Sequence, residues 1–333
     1  YRKASIFPQA ILSRQQKRIE EKEYPYELIE LDRDEKGISA KRTNKLPISK
    51  FPVDKKQIDK TGTIVVWERP IKSPQFGAYY ASIDPVSEGK TTTSDSLCSI
   101  FVYKNATEVT RTTEAGDVEQ FLEKDKIVAA WCGRFDDINK THERLELIIE
   151  WYNAWTIVEN NISLFIQHMI ARKKQRYLVP KQQILFLKDL GSNKTVYQEY
   201  GWKNTGTLFK SHLISYAIEF LREVIDEETD INGVVTNQTF GVERVPDPML
   251  VKEMLAYYPG LNVDRLVAFG ALVAFVKIQQ SNRGYSKRRE SEQKSLVNSE
   301  KMGKLKYSPF KNIGRSALPN GSRPRRSGFR NYK

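Results

Sequence analysis

Short apolar runs and apolar stripes with helical spacing divide most of the chain between strands and helices. A short apolar run closed by Pro, Gly or a charged residue is typical of a buried strand. On this pattern we expect strands at Thr63–Trp67, Ala78–Ile83, Leu97–Tyr103, Lys126–Trp131 and Trp155–Val158. A further short strand is expected near Ile184–Leu187.

Stripes of apolar residues three and four positions apart predict the helices. Leu145, Ile148, Ile149 and Tyr152 form such a stripe after the fourth strand. Further helices are predicted at Ile162–Arg172, Leu208–Ile225, Asp247–Tyr257 and Asn262–Gln279, the last beginning at an asparagine suited to cap it. Strands followed by alternating helices and strands predict a mixed α/β sheet covered by helices.

Composition divides the chain into three segments. Residues 1–60 are polar, and we expect an irregular lead-in with one short helix at Gln15–Glu21. Residues 61–280 hold the predicted strands and main helices and are expected to form one domain. Residues 281–333 are rich in Lys, Arg, Ser, Gly and Asn, so we expect a tail that is disordered unless bound.

The formal charge of +13 is concentrated in that tail. Residues 281–333 contain 15 Lys and Arg against 3 Asp and Glu, whereas the rest of the chain has 39 against 38. Such a tail is typical of an arm that binds a polyanion such as DNA, with Arg288, Arg289, Arg325 and Arg326 as candidate phosphate contacts. The alternative is a solvated tail that only keeps the chain soluble.

Cysteine usage and hydropathy exclude several classes of protein. Cys98 and Cys132 are 34 positions apart in apolar stretches and have no histidine at zinc-binding spacing, so we expect buried, reduced thiols. The longest apolar run, Leu266–Val276, is too short to span a bilayer, and we expect no secretory leader. These features predict an intracellular protein without a membrane partner.

Three carboxylates stand where strands end or a helix begins. Asp84 follows one apolar strand, Glu159 follows another, and Asp264 lies in the first turn of the last helix. If they converge at one edge of the sheet, their hard oxygen ligands suit Mg²⁺ or Mn²⁺, and two such ions can hold a scissile phosphate. The alternative for each carboxylate is structural, because Asp84-Pro85 can begin a turn and Asp264 can favour a helix start.

The loop after Asp84 also invites a nucleotide-binding interpretation. It ends in Gly89-Lys90-Thr91, as a phosphate-binding loop does. That motif requires glycine at its first position, which Asp84 occupies, and no apolar helix follows it. A nucleotide site is therefore disfavoured.

Several stretches in order resemble the nuclease domain of the large terminase subunit of tailed double-stranded DNA bacteriophages. The stretches are Tyr79-Tyr-Ala-Ser-Ile-Asp84-Pro, Trp131-Cys-Gly-Arg-Phe-Asp-Asp137, Tyr152-Asn-Ala-Trp-Thr-Ile-Val-Glu159-Asn-Asn, Gly201-Trp-Lys-Asn-Thr205 and Val263-Asp264-Arg-Leu-Val-Ala268. The resemblance covers about residues 60–280 and implies an RNase H-like fold, a mixed sheet flanked by helices. It also implies an endonuclease that cuts concatemeric viral DNA with two Mg²⁺ or Mn²⁺ ions held by Asp84, Glu159 and Asp264.

The resemblance implies partners as well. They are double-stranded DNA, a terminase ATPase domain that would precede residue 1, the portal protein and the small terminase subunit, all in the host cell cytoplasm. Many relatives have two adjacent acidic residues in the last motif, whereas here Val263 precedes a single Asp264. Asp95 is therefore a candidate fourth ligand, against a solvated loop carboxylate, and Lys90 and Lys210 are candidate phosphate contacts, against plain surface lysines.

Two rival functions stay open at this point. One is another RNase H-like nuclease, of the junction-resolvase or transposase type. The other is a non-catalytic module that keeps the fold and binds DNA or docks on a portal. Three converging carboxylates argue against the second, because such a cluster is costly without an ion to hold.

Overall fold

The computed structural model describes most of the chain up to the end of its last long helix. The described residues are 5–51, 59–89, 96–112, 118–183, 199–203, 207–231 and 234–281. One compact unit spans Tyr1–Gln279, and Gln280–Lys333 form a second unit. The strand expected near Ile184–Leu187 lies outside the described residues.

The described part of the chain contains eleven strands. It also contains six helices that are each at least eight residues long. The strands are β1 (Glu27–Asp34), β2 (Gly37–Arg42), β3 (Ile64–Val66), β4 (Tyr79–Asp84), β5 (Cys98–Lys104), β6 (Thr107–Thr112), β7 (Val118–Glu123), β8 (Lys126–Gly133), β9 (Trp155–Val158), β10 (Val224–Thr229) and β11 (Val235–Phe240). The helices are α1 (Gln9–Glu20), α2 (Ile138–Tyr152), α3 (Leu164–Ala171), α4 (Thr207–Arg222), α5 (Pro248–Ala256) and α6 (residues 264–281).

Seven strands form one mixed sheet in the order β2-β1-β3-β8-β5-β4-β9. The β4–β9 pair is parallel, and the other neighbouring pairs are antiparallel. The expected mixed α/β sheet covered by helices is therefore confirmed. The five strands predicted from apolar runs correspond to β3, β4, β5, β8 and β9, because each run supplies the side chains that the sheet buries.

Side chains of alternate residues in the central strands pack into two separate cores, one on each face of the sheet. Tyr79, Ala81 and Ile83 of β4 belong to the core beneath α2 and α3. Tyr80 of the same strand belongs to the core that contains the α6 side chains, such as Phe275, whose ring lies 5.0 Å from that of Tyr80. This alternation follows from the two-residue period of a strand.

The N-terminal segment is not the irregular lead-in that its polar composition predicts. Residues 9–42 form α1 and the hairpin β1–β2, and β1 continues the main sheet through its antiparallel pairing with β3. Leu12 and Ile29 are fully buried. The strand β1 has charged residues between its apolar ones because it lies towards one side of the sheet, and this alternation obscured it in the sequence.

Two ribbons of paired strands stand apart from the main sheet. The strands β6 and β7 form one, and β10 and β11 form the other. The second ribbon lies between α4 and α5, in a stretch for most of which the sequence pattern predicts neither a strand nor a helix. None of the described helices is both long and apolar enough to cross a bilayer.

Candidate active site

Asp84 and Glu159 leave neighbouring parallel strands at the same end. Asp84 is the last residue of β4, and Glu159 directly follows β9. The pairing aligns Ile83 with Val158, and the backbone N–H of Glu159 donates to the carbonyl oxygen of Ile83 at 3.0 Å. Asp84 is half-buried and Glu159 is buried. The register of the sheet therefore brings these two predicted residues together.

Asp264 reaches the same edge from the first residue of α6. Its Oδ2 accepts a hydrogen bond from the backbone N–H of Leu97 at 2.7 Å, just before β5 begins. In β5, Ser99 is the pairing partner of Asp84. Cys98 lies between Leu97 and Ser99, and burial is the main cause that raises the pKa of its thiol. The strand that pairs with Asp84 is thus the strand next to the amide that binds Asp264.

The alternation of side chains also assigns Asp84 and Glu159 to one face. Asp84 has the parity of Tyr80 in β4, and Glu159 continues the parity of Ile157 in β9. Tyr80 and Ile157 both pack into the core that contains the α6 side chains. The helix that begins at Asp264 therefore covers the face on which the other two carboxylates stand.

The residues after β9 hold Glu159 in a defined backbone path. Asn161 Nδ2 donates to Glu159 Oε1 at 2.7 Å, and the backbone N–H of Asn160 donates to the carbonyl oxygen of Trp202 at 2.5 Å. Gly201 has a φ of +70°, and a Cβ there would collide with the carbonyl oxygen of Val158. The Gly201-Trp202 stretch can therefore lie against the end of β9 only because glycine occupies that position.

The loop after Asp84 packs against the loop after β8. A Cβ at Gly89 would overlap the carbonyl oxygen of Asp136, so the two backbones are in direct contact. Asp137 begins α2 as its N-cap, and its side chain accepts a hydrogen bond from the backbone N–H of Asn139 at 2.9 Å. We call the end of the sheet with Asp84, Glu159 and Asp264 the carboxylate edge. The loop after Asp84 at this edge is therefore packed against the loop that leads into α2.

Two serines with buried hydroxyls lie on the carboxylate face. Ser82 precedes Asp84 by two residues in β4, and Ser99 pairs with Asp84 from β5. Both are fully buried, and neither hydroxyl has a hydrogen-bond partner among the described residues. Polar side chains in a buried position normally satisfy their hydrogen bonds, so these two hydroxyls are exceptions on the face that carries Asp84.

A buried ion pair, which the sequence did not indicate, fixes the start of α6. Arg265 Nη1 donates to Glu253 Oε1 at 3.1 Å, and Arg265 Nη2 donates to the carbonyl oxygen of Ile48 at 3.0 Å. The backbone N–H of Leu266 donates to Glu253 Oε2 at 3.1 Å. Burial raises the pKa of Glu253 to about 7, against the lowering effect of Arg265. These bonds tie the turn that carries Asp264 to α5 and to the chain before β3.

The three carboxylates have the chemistry of a divalent-cation site without forming a closed ligand cage. Carboxylate oxygens are hard donors of the kind that Mg²⁺ and Mn²⁺ take. Among the described residues, no group of three or more His, Cys, Asp or Glu side chains is arranged so that it could hold a metal ion. One oxygen each of Asp264 and Glu159 accepts a hydrogen bond, from Leu97 and Asn161 respectively.

The other candidate contacts fall mainly outside the described part of the chain. Asp95, Lys90, Arg288, Arg289, Arg325 and Arg326 all lie outside the described residues. Lys210 lies in α4, but its side chain is not among those described. The two cysteines are free thiols, and Cys98 is buried as expected, whereas Cys132 is half-buried because it comes near the end of β8.

Comparison of the chain with protein-family models, with curated proteins and with solved structures found no match in any of the three.

Proposed function

We propose that this protein is a divalent-metal-dependent DNA endonuclease with an RNase H-like fold. The observation that carries the proposal is the register Ile83↔Val158, which sets Asp84 and Glu159 side by side, together with the bond from Leu97 to Asp264. Asp84 and Glu159 leave adjacent strands at the same end, and Asp264 is bonded to the residue that precedes the strand next to Asp84. Such an arrangement is expected where hard cations bind a phosphate.

The strand order supports the fold assignment in the proposal. The strands β8, β5 and β4 are antiparallel neighbours, and after α2 the chain returns in β9, parallel to β4. Leu178 forms an isolated parallel bridge with Thr156 on the outer side of β9. RNase H-like sheets have this arrangement. Three antiparallel strands come first in the chain, a helix follows, and the next strand pairs in parallel with the first of the three, which is β4 here. In such sheets, ligands gather at the ends of the parallel strands.

The side chains of the site have distinct parts in the proposed reaction. Asp84 and Glu159 lie at the ends of paired strands, and Asp264 accepts a hydrogen bond from the amide of Leu97, so the backbone already holds the three proposed ligands near one end of the sheet. Divalent cations, when bound, would neutralise the charge of the scissile phosphate and lower the pKa of the attacking water. DNA affinity comes mainly from phosphate contacts, in which the basic tail takes part.

The packaging role belongs to the same proposal and rests on the resemblance to terminase nuclease domains. In that role the chain cuts concatemeric viral DNA in the host cytoplasm, with a terminase ATPase domain, the portal and the small subunit as partners. A resolvase or transposase nuclease is the alternative within the same chemistry. A non-catalytic DNA-binding module is disfavoured, because an edge with three carboxylates repels phosphates unless cations are bound.

Cleavage of supercoiled plasmid tests the proposal. We expect linear DNA to form with Mn²⁺ or Mg²⁺ and no cutting with EDTA. Linear plasmid and a four-way junction, offered in parallel, separate the packaging nuclease from a resolvase, since a resolvase prefers the junction. Failure to cut any of these DNAs with either metal would contradict the endonuclease assignment.

A further inference from the structure

A second site on the molecule carries aromatic and basic side chains at the outer edge of the sheet. A cavity of about 390 Å³ there is lined by Phe76, Trp155, Tyr200, Lys173 and Arg176, among other residues. We call it the edge pocket. None of the described residues that line it is acidic. Its volume lies within the range of sites that take small organic ligands.

The two cations of the edge pocket differ from their neighbours in the chain. Arg172 and Lys174 are engaged in ion pairs, Arg172 with Glu143 at 3.0 Å and Lys174 with Glu146 at 2.6 Å. Lys173 and Arg176 are exposed, and neither forms an ion pair with any residue that the structure describes. Their positive charge is therefore not balanced by a described neighbour and is available to an anionic ligand.

The structure holds one of the two cations, Arg176, in a fixed position. Lys173 lies in the turn that ends α3, with a backbone φ of +59°. The guanidinium of Arg176 lies 4.6 Å from the centre of the Tyr177 ring, and its Nη2 donates to the Tyr177 hydroxyl at 2.6 Å. An arginine held in this way loses less conformational entropy when it binds a phosphate.

The aromatic side chains of the edge pocket are only partly explained by core packing. Trp155 packs on Phe275 with ring centres 5.4 Å apart, and its Nε1 donates to the carbonyl oxygen of Leu178 at 3.3 Å. Phe76 is different: 52% of it is exposed, although its ring centre lies 5.6 Å from that of Trp155. An exposed phenylalanine beside a half-buried tryptophan and two exposed cations suits a ligand with a planar base and a phosphate.

We propose that the edge pocket binds single-stranded DNA, with a base stacked on Phe76 and the flanking phosphates on Lys173 and Arg176. Unpaired nucleotides are favoured over a duplex, because bases in a duplex already stack on each other and leave no face for Phe76. Trp155 begins β9 and Glu159 follows its end, a separation of roughly 13 Å along the strand. One DNA strand can therefore reach both the edge pocket and the carboxylate edge.

This inference rests on the proposed function for the choice of DNA as ligand, but its test needs no cutting. Binding of a labelled twelve-nucleotide oligo(dT) to the full chain is measured by anisotropy in EDTA, next to an abasic strand of equal length. The basic tail meets the phosphates of both strands alike, so the ratio of the two affinities isolates base stacking. A single base–aromatic stack contributes about 5- to 150-fold in affinity.

We expect Phe76→Ala to weaken oligo(dT) binding at least about fivefold and to leave binding of the abasic strand unchanged. Lys173→Glu and Arg176→Glu should weaken both strands and lower the salt slope by roughly 0.7 for each phosphate that the variant no longer binds. Lys36→Glu, at an exposed lysine in the turn between β1 and β2, is the control with the same charge change.

Each outcome bears on one proposal alone. Equal affinity of the wild type for oligo(dT) and the abasic strand would overturn the edge pocket, as would a Phe76→Ala protein that binds oligo(dT) normally. Equal losses from the pocket variants and from Lys36→Glu would do the same. If Asp84→Asn binds oligo(dT) as the wild type does, the pocket stands even if plasmid cleavage fails.

Discussion

The backbone N–H of Glu159 donates a hydrogen bond to the carbonyl oxygen of Ile83 at 3.0 Å, so Asp84 and Glu159 leave two parallel strands at the same height. A slip of one residue in this register would turn Glu159 to the opposite face of the sheet. The carboxylate site therefore depends on the pairing of β4 with β9. A carboxylate placed one position earlier or later in either strand would lie on the opposite face of the sheet and could not take the place of Asp84 or Glu159.

Metal binding should raise the melting temperature of the folded chain. A ligand that binds the native state alone stabilises it by RT ln(1 + [L]/Kd). We use 5 mM Mn²⁺, roughly the Kd of a weak carboxylate site. We expect it to raise the Tm of the wild type and to raise the Tm of Asp84→Asn much less. Asp32→Asn, at an exposed carboxylate of β1, is the control and should respond like the wild type. Equal shifts in all three proteins would indicate non-specific ion binding.

The buried pair of Glu253 and Arg265 should be strongly coupled in its effect on stability. Arg265→Met leaves the buried carboxylate without its cation and should destabilise the protein by about 3–5 kcal/mol. Adding Glu253→Gln should recover a large part of the lost stability, because the amide oxygen still accepts a hydrogen bond from the N–H of Leu266 and no buried charge remains. Urea unfolding of the single and double variants measures the two free energies. A single Arg265→Met variant as stable as the wild type would show that the pair does not hold α6.

Glu146 should make stability depend on acid pH. Burial opposes its ionisation, but hydrogen bonds from His168 at 2.7 Å and Lys174 at 2.6 Å lower its pKa to about 2, from 4.5. Because the folded pKa is the lower one, the carboxylate stabilises the native state above pH 4.5, and this contribution is lost as the pH falls towards 2.

The comparison of wild type with Glu146→Gln tests this linkage. The difference in unfolding free energy should reach about 3 kcal/mol at most near pH 7 and shrink as the pH falls towards 2. Glu143→Gln, at a half-exposed position of the same helix, controls for the loss of one charge. A difference that stays constant from pH 7 to pH 2.5 would mean that the titration of Glu146 does not contribute.

Removal of residues 282–333 should reduce DNA affinity without unfolding the rest. The described part of α6 reaches residue 281, and the removed segment carries a net charge of +12. Each phosphate that is no longer bound flattens the slope of log K against log salt by roughly 0.9. A full-length variant with Arg288, Arg289, Arg325 and Arg326 changed to Ala serves as the matched comparison. Parallel salt slopes in titrations of truncated and full-length chains would rule out a DNA-binding arm.

The central sheet was predictable because its strands are buried on both faces. Runs such as Cys98–Lys104 are almost wholly apolar, so they stand out without any knowledge of their partners. The positions of Asp84 and Glu159 at strand ends follow directly from where those runs stop. Their adjacency does not, since it depends on which strands pair and in which direction.

Other buried features could not be predicted, because a charged residue in the sequence normally indicates an exposed position. Glu253 and Arg265 lie within apolar helices, and only the tertiary structure pairs them in the core. The first strand, Glu27–Asp34, has charged residues among its few apolar ones and ends in three charged residues, so it lacks the apolar run that marked the central strands. The last helix begins two residues after Asn262, whose amide donates instead towards Ser96 and towards Asp264 at 3.4 Å.

Plasmid cleavage by carboxylate variants tests the central claim most directly. If Asp84, Glu159 and Asp264 share bound cations, Asp84→Asn, Glu159→Gln and Asp264→Asn should each lower the rate with Mn²⁺ at least about 100-fold, and the triple variant should be no slower than the singles. Asp32→Asn should cut at the wild-type rate, and circular dichroism should show all variants folded. Near-normal cutting by any two of the three single variants would contradict the assigned site.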